Sequence, residues 1–250
     1  MRSFLGDIQG VTVYANDVVV RRSGGNRHAD PPPRGDVSEF SYKSRQRLAF
    51  IAANSSVKFR TMITLTYPAA FSQDGEQVKI HFHAFLTFCR RDFGNPNYLW
   101  FLEFQKRGAP HIHLLLDYPL PRTSVLVSAV RFRVSAAWYR IVGSRDEKHL
   151  AAGTRVERLR SAQGGARYAV KYAFKMRQKV VPLLYQNVGR FWGCSRAVIP
   201  QAEEDLNCTE DDIRDVLQNW TWAPKPDQDV YKVLFGCASR FRTKDRTVDT

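Results

Sequence analysis

The stretch YLWFLEFQKRGAPHIHLLLD, residues 98–117, has the pattern of two β-strands joined by a tight turn. Its two apolar runs flank KRGAP, a short glycine-containing segment that is typical of a hairpin. Side chains two apart on a strand point to the same side, so His111 and His113 share one face. Because the hairpin brings the preceding strand alongside, the pattern predicts that the Glu103 carboxylate stands beside two imidazoles.

Two histidines and one carboxylate are a typical ligand set for a catalytic divalent metal, because they leave coordination positions open. A bare His-x-His pair is also compatible with ordinary structural histidines, but Glu103 across the hairpin favours the metal site. A second pair, His81 and His83, lies in a segment with helical spacing. Residues two apart on a helix point about 200° away from each other. We therefore expect His81 and His83 to be surface or core residues.

Strands and helices alternate around this hairpin, which predicts an α+β fold with a central antiparallel β-sheet backed by helices. The predicted elements are a strand at Val11–Arg22, a Gly/Pro-rich loop at Arg22–Asp36, a helix opened by Ser38, a strand at Phe59–Pro68, a helix ending at Gly94, the hairpin, a helix at Ser124–Val142, a strand at 154–161, and helices at Gly165–Lys179 and near Glu210–Trp220, with a last strand at 230–235.

The length of 250 residues accommodates one main domain with appended segments. We predict an N-terminal segment at 1–55 that contains a strand, the flexible loop and a helix. The core domain is predicted at 56–185. A C-terminal segment at 186–250 is expected to complete the domain or to contact DNA or partners.

The charge of the chain favours a polyanionic partner. Its 38 Lys and Arg residues outnumber 24 Asp and Glu residues, which gives a net charge of +14. Nucleic acid is the first candidate, since each contact of a basic side chain with a phosphate releases counterions. An ordinary basic surface is the alternative.

Other bulk features point to the cytoplasm. No apolar run approaches the ~20 residues of a membrane span, and MRSFLGDIQG has no signal-peptide apolar core. Cys89, Cys194, Cys208 and Cys237 are far apart in the sequence. They lack both the close pairs of a zinc site and the density of a disulfide framework, so we expect reduced thiols.

The segment GGARYAVKYAFKMRQK, Gly164–Lys179, carries a second set of candidate residues. Tyr168, Lys171, Tyr172 and Lys175 recur at helical spacing and share one face of the predicted helix. A tyrosine with its ordinary pKa near ~10 is a poor nucleophile unless cations or a metal lie nearby. The alternative is an amphipathic helix with half-buried tyrosines and solvated lysines.

Taken in order, TLTYP, the HIHLLLD strand preceded by Glu103, and YAVKYAFK resemble the three motifs of HUH endonucleases. The likeness is greatest to the rolling-circle replication initiators (Rep proteins) of small phages, plasmids and single-stranded DNA viruses. YAVKYAFK resembles the two-tyrosine version of the phage type. The resemblance covers roughly Phe59–Lys179 and implies an HUH endonuclease fold with an RRM-like palm.

The resemblance implies sequence-specific nicking and joining of single-stranded DNA through a 5′-phosphotyrosine. Mg²⁺ or Mn²⁺ would be held by Glu103, His111 and His113, with Gln105 as a weaker candidate ligand. The expected catalytic residues are Tyr168 as first nucleophile, Tyr172 as second, and Lys171 and Lys175, which neutralise charge on the phosphate. The residues expected to contact DNA are Thr64, Thr66, Arg107, Arg167 and Arg190.

The implied partners are single-stranded DNA at a replication origin and host replication proteins, in the cytoplasm of a bacterial host. A host helicase is expected because the sequence contains no GxxxxGK[ST] phosphate loop. A relaxase or a single-strand transposase of the same class is an alternative, and so is a non-catalytic basic module that binds nucleic acid. A zinc deaminase is disfavoured because no PCxxC follows the histidines.

Overall fold

The histidine hairpin lies inside a five-stranded antiparallel sheet. The computed structural model describes residues 8–22, 39–160, 169, 181–185, 188–207, 210–216, 231–234 and 238. The strands of the main sheet are β3 (Thr61–Thr66), β4 (Tyr98–Phe104), β5 (Pro110–Leu116), β6 (Thr154–Arg158) and β7 (Trp192–Cys194). Their order across the sheet is β6–β3–β5–β4–β7, which places the strand with both histidines at the centre.

A second antiparallel sheet has four strands in the order β8–β1–β2–β9. Its strands are β1 (Ile8–Val13), β2 (Val18–Arg22), β8 (Glu204–Leu206) and β9 (Tyr231–Leu234). The described helices are α1 (Tyr42–Asn54), α2 (Gly75–Asp92), α3 (Ser124–Val142), α4 (Glu147–Ala152) and α5 (Glu210–Val216). The predicted α+β class, with a central antiparallel sheet backed by helices, is confirmed.

The described residues divide into two compact units. Those within Met1–Pro33, Ala53–Ser56 and Pro200–Thr250 form one unit, which contains the four-stranded sheet. Those within Arg34–Ala52 and Val57–Ile199 form the other, which contains the histidine sheet. Strand β7, beyond the predicted core range of 56–185, pairs with β4 in that sheet.

Helices α2 and α3 cover one face of the histidine sheet. The ring of Phe82 on α2 lies 4.9 Å from that of Trp100 on β4, and Trp138 of α3 donates its indole N–H to the carbonyl of Thr66 at 2.9 Å. Neighbouring side chains on a strand alternate between faces, and Phe101 pairs with His113. The histidines therefore lie on the face of the sheet opposite to these helices.

The ends of α2 and α3 follow from local sequence. Asp74 accepts a hydrogen bond from the backbone N–H of Glu76 at 2.9 Å and caps the start of α2. Gly94 follows its end with φ of 72°, and Gly143 follows the end of α3 with φ of 65°. Glycine adopts this left-handed conformation without the clash of a Cβ, so both helices end where the sequence predicts.

Two of the sequence predictions need correction. The predicted single strand at Val11–Arg22 is a hairpin, in which β1 and β2 are antiparallel and the N–H of Tyr14 donates to the carbonyl of Asp17 at 2.9 Å. The helix predicted to open at Ser38, which lies outside the described residues, begins at Tyr42. The hydroxyl of Ser41 accepts from the N–H of Ser44 at 3.3 Å, so Ser41 caps this helix.

Helix α4 and strands β7 and β8 were not predicted from the sequence. Each is three to six residues long, too short for hydrophobic periodicity to define it. No helix in the described ranges combines the length and the apolar character that a membrane crossing requires.

Candidate active site

The strand register brings both histidines beside one carboxylate and two threonines. On β5, His111 pairs with Glu103 of β4 on one side and with Thr66 of β3 on the other. His113 pairs with Thr64 in the same way. Paired residues of an antiparallel sheet project from the same face, so these five side chains form one cluster, which we call the histidine cluster.

His113 is buried and fixed on three sides. Its Nδ1 lies 3.2 Å from the hydroxyl of Thr64, and its Nε2 lies 3.5 Å from Oε2 of Glu103. Its ring stacks on Phe101, with the ring centres 4.9 Å apart. Glu103 and His113 are each about 4% exposed. The Thr64 contact turns Nε2 of His113 towards the Glu103 carboxylate, as is required if both residues bind one metal ion.

His111 lies edge-on to His113, with the ring centres 4.7 Å apart. Its Nδ1 is 3.1 Å from the hydroxyl of Thr66 and 3.4 Å from Nε2 of Gln105. Burial, with smaller contributions from the charges of His113 and Arg107, lowers the pKa of His111 to about 4. The imidazole is therefore neutral at pH 7, the form in which a histidine binds metals.

Arg107, for which a DNA contact is predicted, is exposed and also binds the protein backbone. Its guanidinium donates to the carbonyl of Tyr67 at 2.6 Å and to that of Pro68 at 2.7 Å. It also donates from Nε to Oε1 of Gln105 at 3.0 Å. Arg107 thus connects the β4–β5 turn to the end of β3 and orients the amide that approaches His111.

The backbone of Thr66 is held by residues distant in sequence. Its carbonyl lies 2.8 Å from Nε2 of His149 and accepts the Trp138 indole N–H. Its N–H donates to the carbonyl of Gly153 at 2.8 Å. Sequence reasoning missed His149, because no local pattern connects it with a residue 83 positions earlier. These contacts position the Thr66 hydroxyl beside His111.

Replacing Gly153 by alanine is expected to destabilise the protein by about 1–3 kcal/mol, as overpacking of a filled core does. A Cβ on Gly153 would lie 2.3 Å from Cδ2 of His149 and 2.5 Å from the His149 carbonyl oxygen. Since φ of Gly153 is −71°, the effect arises from this clash and not from backbone strain. Urea unfolding measures it. Ala152→Ser, at an exposed neighbouring position, should change stability by less than about 0.5 kcal/mol. Wild-type stability of Gly153→Ala would contradict the described packing.

The nitrogen and oxygen donors of the cluster suit a divalent metal. The distance between Glu103 and His113 also suits two ligands of one ion. Two ligands, each ~2.1 Å from one ion, are separated by roughly 3–3.5 Å, which matches the 3.5 Å between Glu103 and His113. The third candidate, His111, directs Nδ1 towards Thr66. Within the described part of the chain, no three His, Cys, Asp or Glu side chains are grouped closely enough to hold an ion.

Of the remaining predicted residues, Arg190 lies in the described part and the other five do not. Arg190 lines a separate cavity with Lys79, where its carbonyl accepts a hydrogen bond from the Lys79 ammonium. The residues Arg167, Tyr168, Lys171, Tyr172 and Lys175 all lie outside the described residues. Within that stretch, Ala169 is helical and buried.

The second histidine pair lies on α2, as its spacing predicts. His81 is half-buried, with Nδ1 3.1 Å from the Tyr67 hydroxyl, whereas His83 is exposed. Burial lowers the pKa of His81. These histidines belong to the packing and the surface of α2.

Comparison with known proteins gives one similarity. Residues 60–177 match the family model of the replication-associated protein ORF2. This range contains the histidine cluster and all three sequence motifs. No curated protein and no solved structure matches the chain. The family match supports a role in DNA replication.

Proposed function

We propose that this protein is a rolling-circle replication initiator that nicks and rejoins single-stranded DNA at an origin. The observation that carries the proposal is the convergence of His111, His113 and Glu103 on one sheet face, inside the range that matches a replication-associated family. The net charge of +14 supports a nucleic-acid substrate.

We propose Glu103 and His113 as two metal ligands and His111 as the third, through Nε2, because its Nδ1 lies against Thr66. Bound Mg²⁺ or Mn²⁺ would supply Lewis-acid polarisation of the scissile phosphate. We propose that Thr64 and Thr66 have a further role besides the expected DNA contact. Their hydroxyls lie against the Nδ1 atoms of the two histidines, so they orient the imidazoles. Outer partners of this kind commonly fix the orientation of ligand rings.

The nucleophile is proposed to be Tyr168. Its phenol releases its proton to solvent, and the phenolate oxygen attacks the phosphorus. The P–O bond to the 3′ oxygen breaks, and this oxygen takes up a proton from solvent, so the strand leaves with a free 3′-hydroxyl. The 5′-phosphotyrosine link preserves the phosphodiester energy, so rejoining needs no ATP. Lys171 and Lys175 are proposed to neutralise charge that develops on the phosphate.

The proposal is tested by incubating the protein with 5′- and 3′-labelled single-stranded origin DNA and Mn²⁺, followed by a denaturing gel. We expect a covalent adduct that carries only the label 3′ of the cut, because the protein is joined to the 5′ end of that fragment. The same reaction with excess chelator is the control and should give no adduct. A protein that binds the DNA but gives no adduct with metal would be a non-catalytic binding module.

A further inference from the structure

A cavity of about 430 Å³ lies on the face of the sheet opposite to the histidine cluster. Tyr98 and Trp100 of β4 contribute to its wall, and they alternate along the strand with the residues of the histidine face. Other lining residues are Lys79 and Phe82 of α2, Gly193 of β7, and Arg190, which precedes β7. The volume is within the range of small-molecule sites, about 300–1,000 Å³.

Positive charge is concentrated at this cavity. Lys79 is half-buried, and its ammonium lies 4.3 Å above the ring centre of Trp100. Burial lowers the pKa of Lys79 to about 7, and the charge of Arg190 contributes. None of the described residues that line the cavity is acidic. An anion between Lys79 and Arg190 would therefore favour the protonated, charged form of Lys79. It would also reduce the repulsion between the two cations.

The same cavity has an aromatic wall. Trp100 packs on Phe82 and is 9% exposed, and Tyr98 is half-buried beside it. The indole lies against the backbone of Gly193, where a Cβ would be 2.9 Å from Nε1. A larger residue at position 193 would displace the indole. Trp100 is covered by Phe82 and Lys79, so Tyr98 is the ring that a ligand can reach. A partly exposed aromatic ring can stack on a nucleobase irrespective of sequence.

We propose that this cavity binds a nucleotide, with its phosphate between Lys79 and Arg190 and its base against Tyr98. Two sources share this chemistry, a free nucleotide and one nucleotide of a single strand of DNA. The proposal does not depend on the nicking reaction, because no residue of the cavity belongs to the histidine cluster.

The test is equilibrium dialysis of the full chain with dTMP, with thymidine and inorganic phosphate as separate probes. We expect saturable binding of dTMP, and binding of each partial probe weaker by about tenfold or more. Lys79→Met should weaken dTMP binding by about tenfold, whereas Lys79→Arg and Lys148→Met should stay within about twofold. Lys148 is exposed on α4, and its replacement removes the same charge.

An excess of oligodeoxythymidylate identifies the source. Displacement of dTMP assigns the cavity to a DNA strand, and retention of dTMP assigns it to a free nucleotide. The proposal is wrong if dTMP does not bind, if Lys79→Met binds it as wild type does, or if inorganic phosphate binds as tightly as dTMP.

A measurement on the wild-type chain makes the test independent of how the variants fold. Lysine acetylation by acetic anhydride is followed by mass spectrometry with and without dTMP. Acetylation of Lys79 should slow several-fold with dTMP, and that of Lys148 should not change. An unchanged rate at Lys79 would overturn the proposal.

Discussion

Glu103→Ala is expected to abolish DNA cleavage while leaving most binding of single-stranded DNA. The Glu103 carboxylate is buried, and its Oε2 lies 3.5 Å from His113, so it is the proposed anionic ligand of the metal. Loss of Lewis-acid stabilisation worth several kcal/mol corresponds to a rate reduction of about 10³-fold or more. Affinity for DNA depends chiefly on phosphate contacts by basic side chains, which this change leaves in place.

The measurement is the nicking rate in Mn²⁺, with DNA binding measured in parallel in chelator. Glu103→Gln, which keeps the size of the side chain, should be as inactive as Glu103→Ala and separates loss of charge from loss of packing. Glu157→Gln is the matched control, since Glu157 is on β6 and pairs with Arg155 at 2.7 Å. Full nicking by either Glu103 variant would refute the metal site.

The double variant Tyr168→Phe, Tyr172→Phe is expected to form no covalent adduct with DNA. Four-residue spacing places both phenols on one side of the predicted helix, so either can reach the same phosphate. Tyr168 is the expected first nucleophile, because Lys171 lies between the two phenols on that stripe, whereas Lys175 lies further along. Tyr168→Phe should lose most initial cleavage, and Tyr172→Phe should cleave nearly normally but fail at strand transfer.

Peptide mapping of the DNA-linked protein measures which tyrosine carries the strand. Tyr42→Phe serves as control, because Tyr42 is 53% exposed and has no proposed part in the reaction; it should form the adduct at the wild-type rate. DNA linked to Tyr172 alone would mean that Tyr172 is the first nucleophile. DNA linked to any tyrosine other than Tyr168 or Tyr172 would contradict the assignment.

The elements around the site could be predicted from the chemistry of neighbouring residues. The glycine-containing turn between β4 and β5 and the glycines after α2 and α3 impose their conformations within a few residues. The alternation of side chains along β5 is also a local property, and it places His111 and His113 on one face. The α+β class was therefore predictable, and so was the approach of Glu103 to the histidines.

Prediction from sequence was least successful for short elements and for the contacts of side chains with residues distant in the chain. Residues 11–22 are apolar enough for one strand, and only pairing between β1 and β2 shows the turn at Tyr14–Asp17. The positive charge of Arg107 is evident from the sequence, whereas its hydrogen bonds to the carbonyls of Tyr67 and Pro68 are not. Sequence gives the charge of a side chain and leaves its partner undetermined.

The two strands, their turn and the shared face of the histidines follow from the amino-acid sequence alone, because they depend on residues close together in the chain. The basic character follows from composition. By contrast, the contact of Thr66 with His149, 83 positions away, and that of Lys79 with Arg190, 111 positions away, are seen only in the folded chain. Such contacts depend on strand register and helix packing, which many distant residues set jointly. No local pattern encodes them.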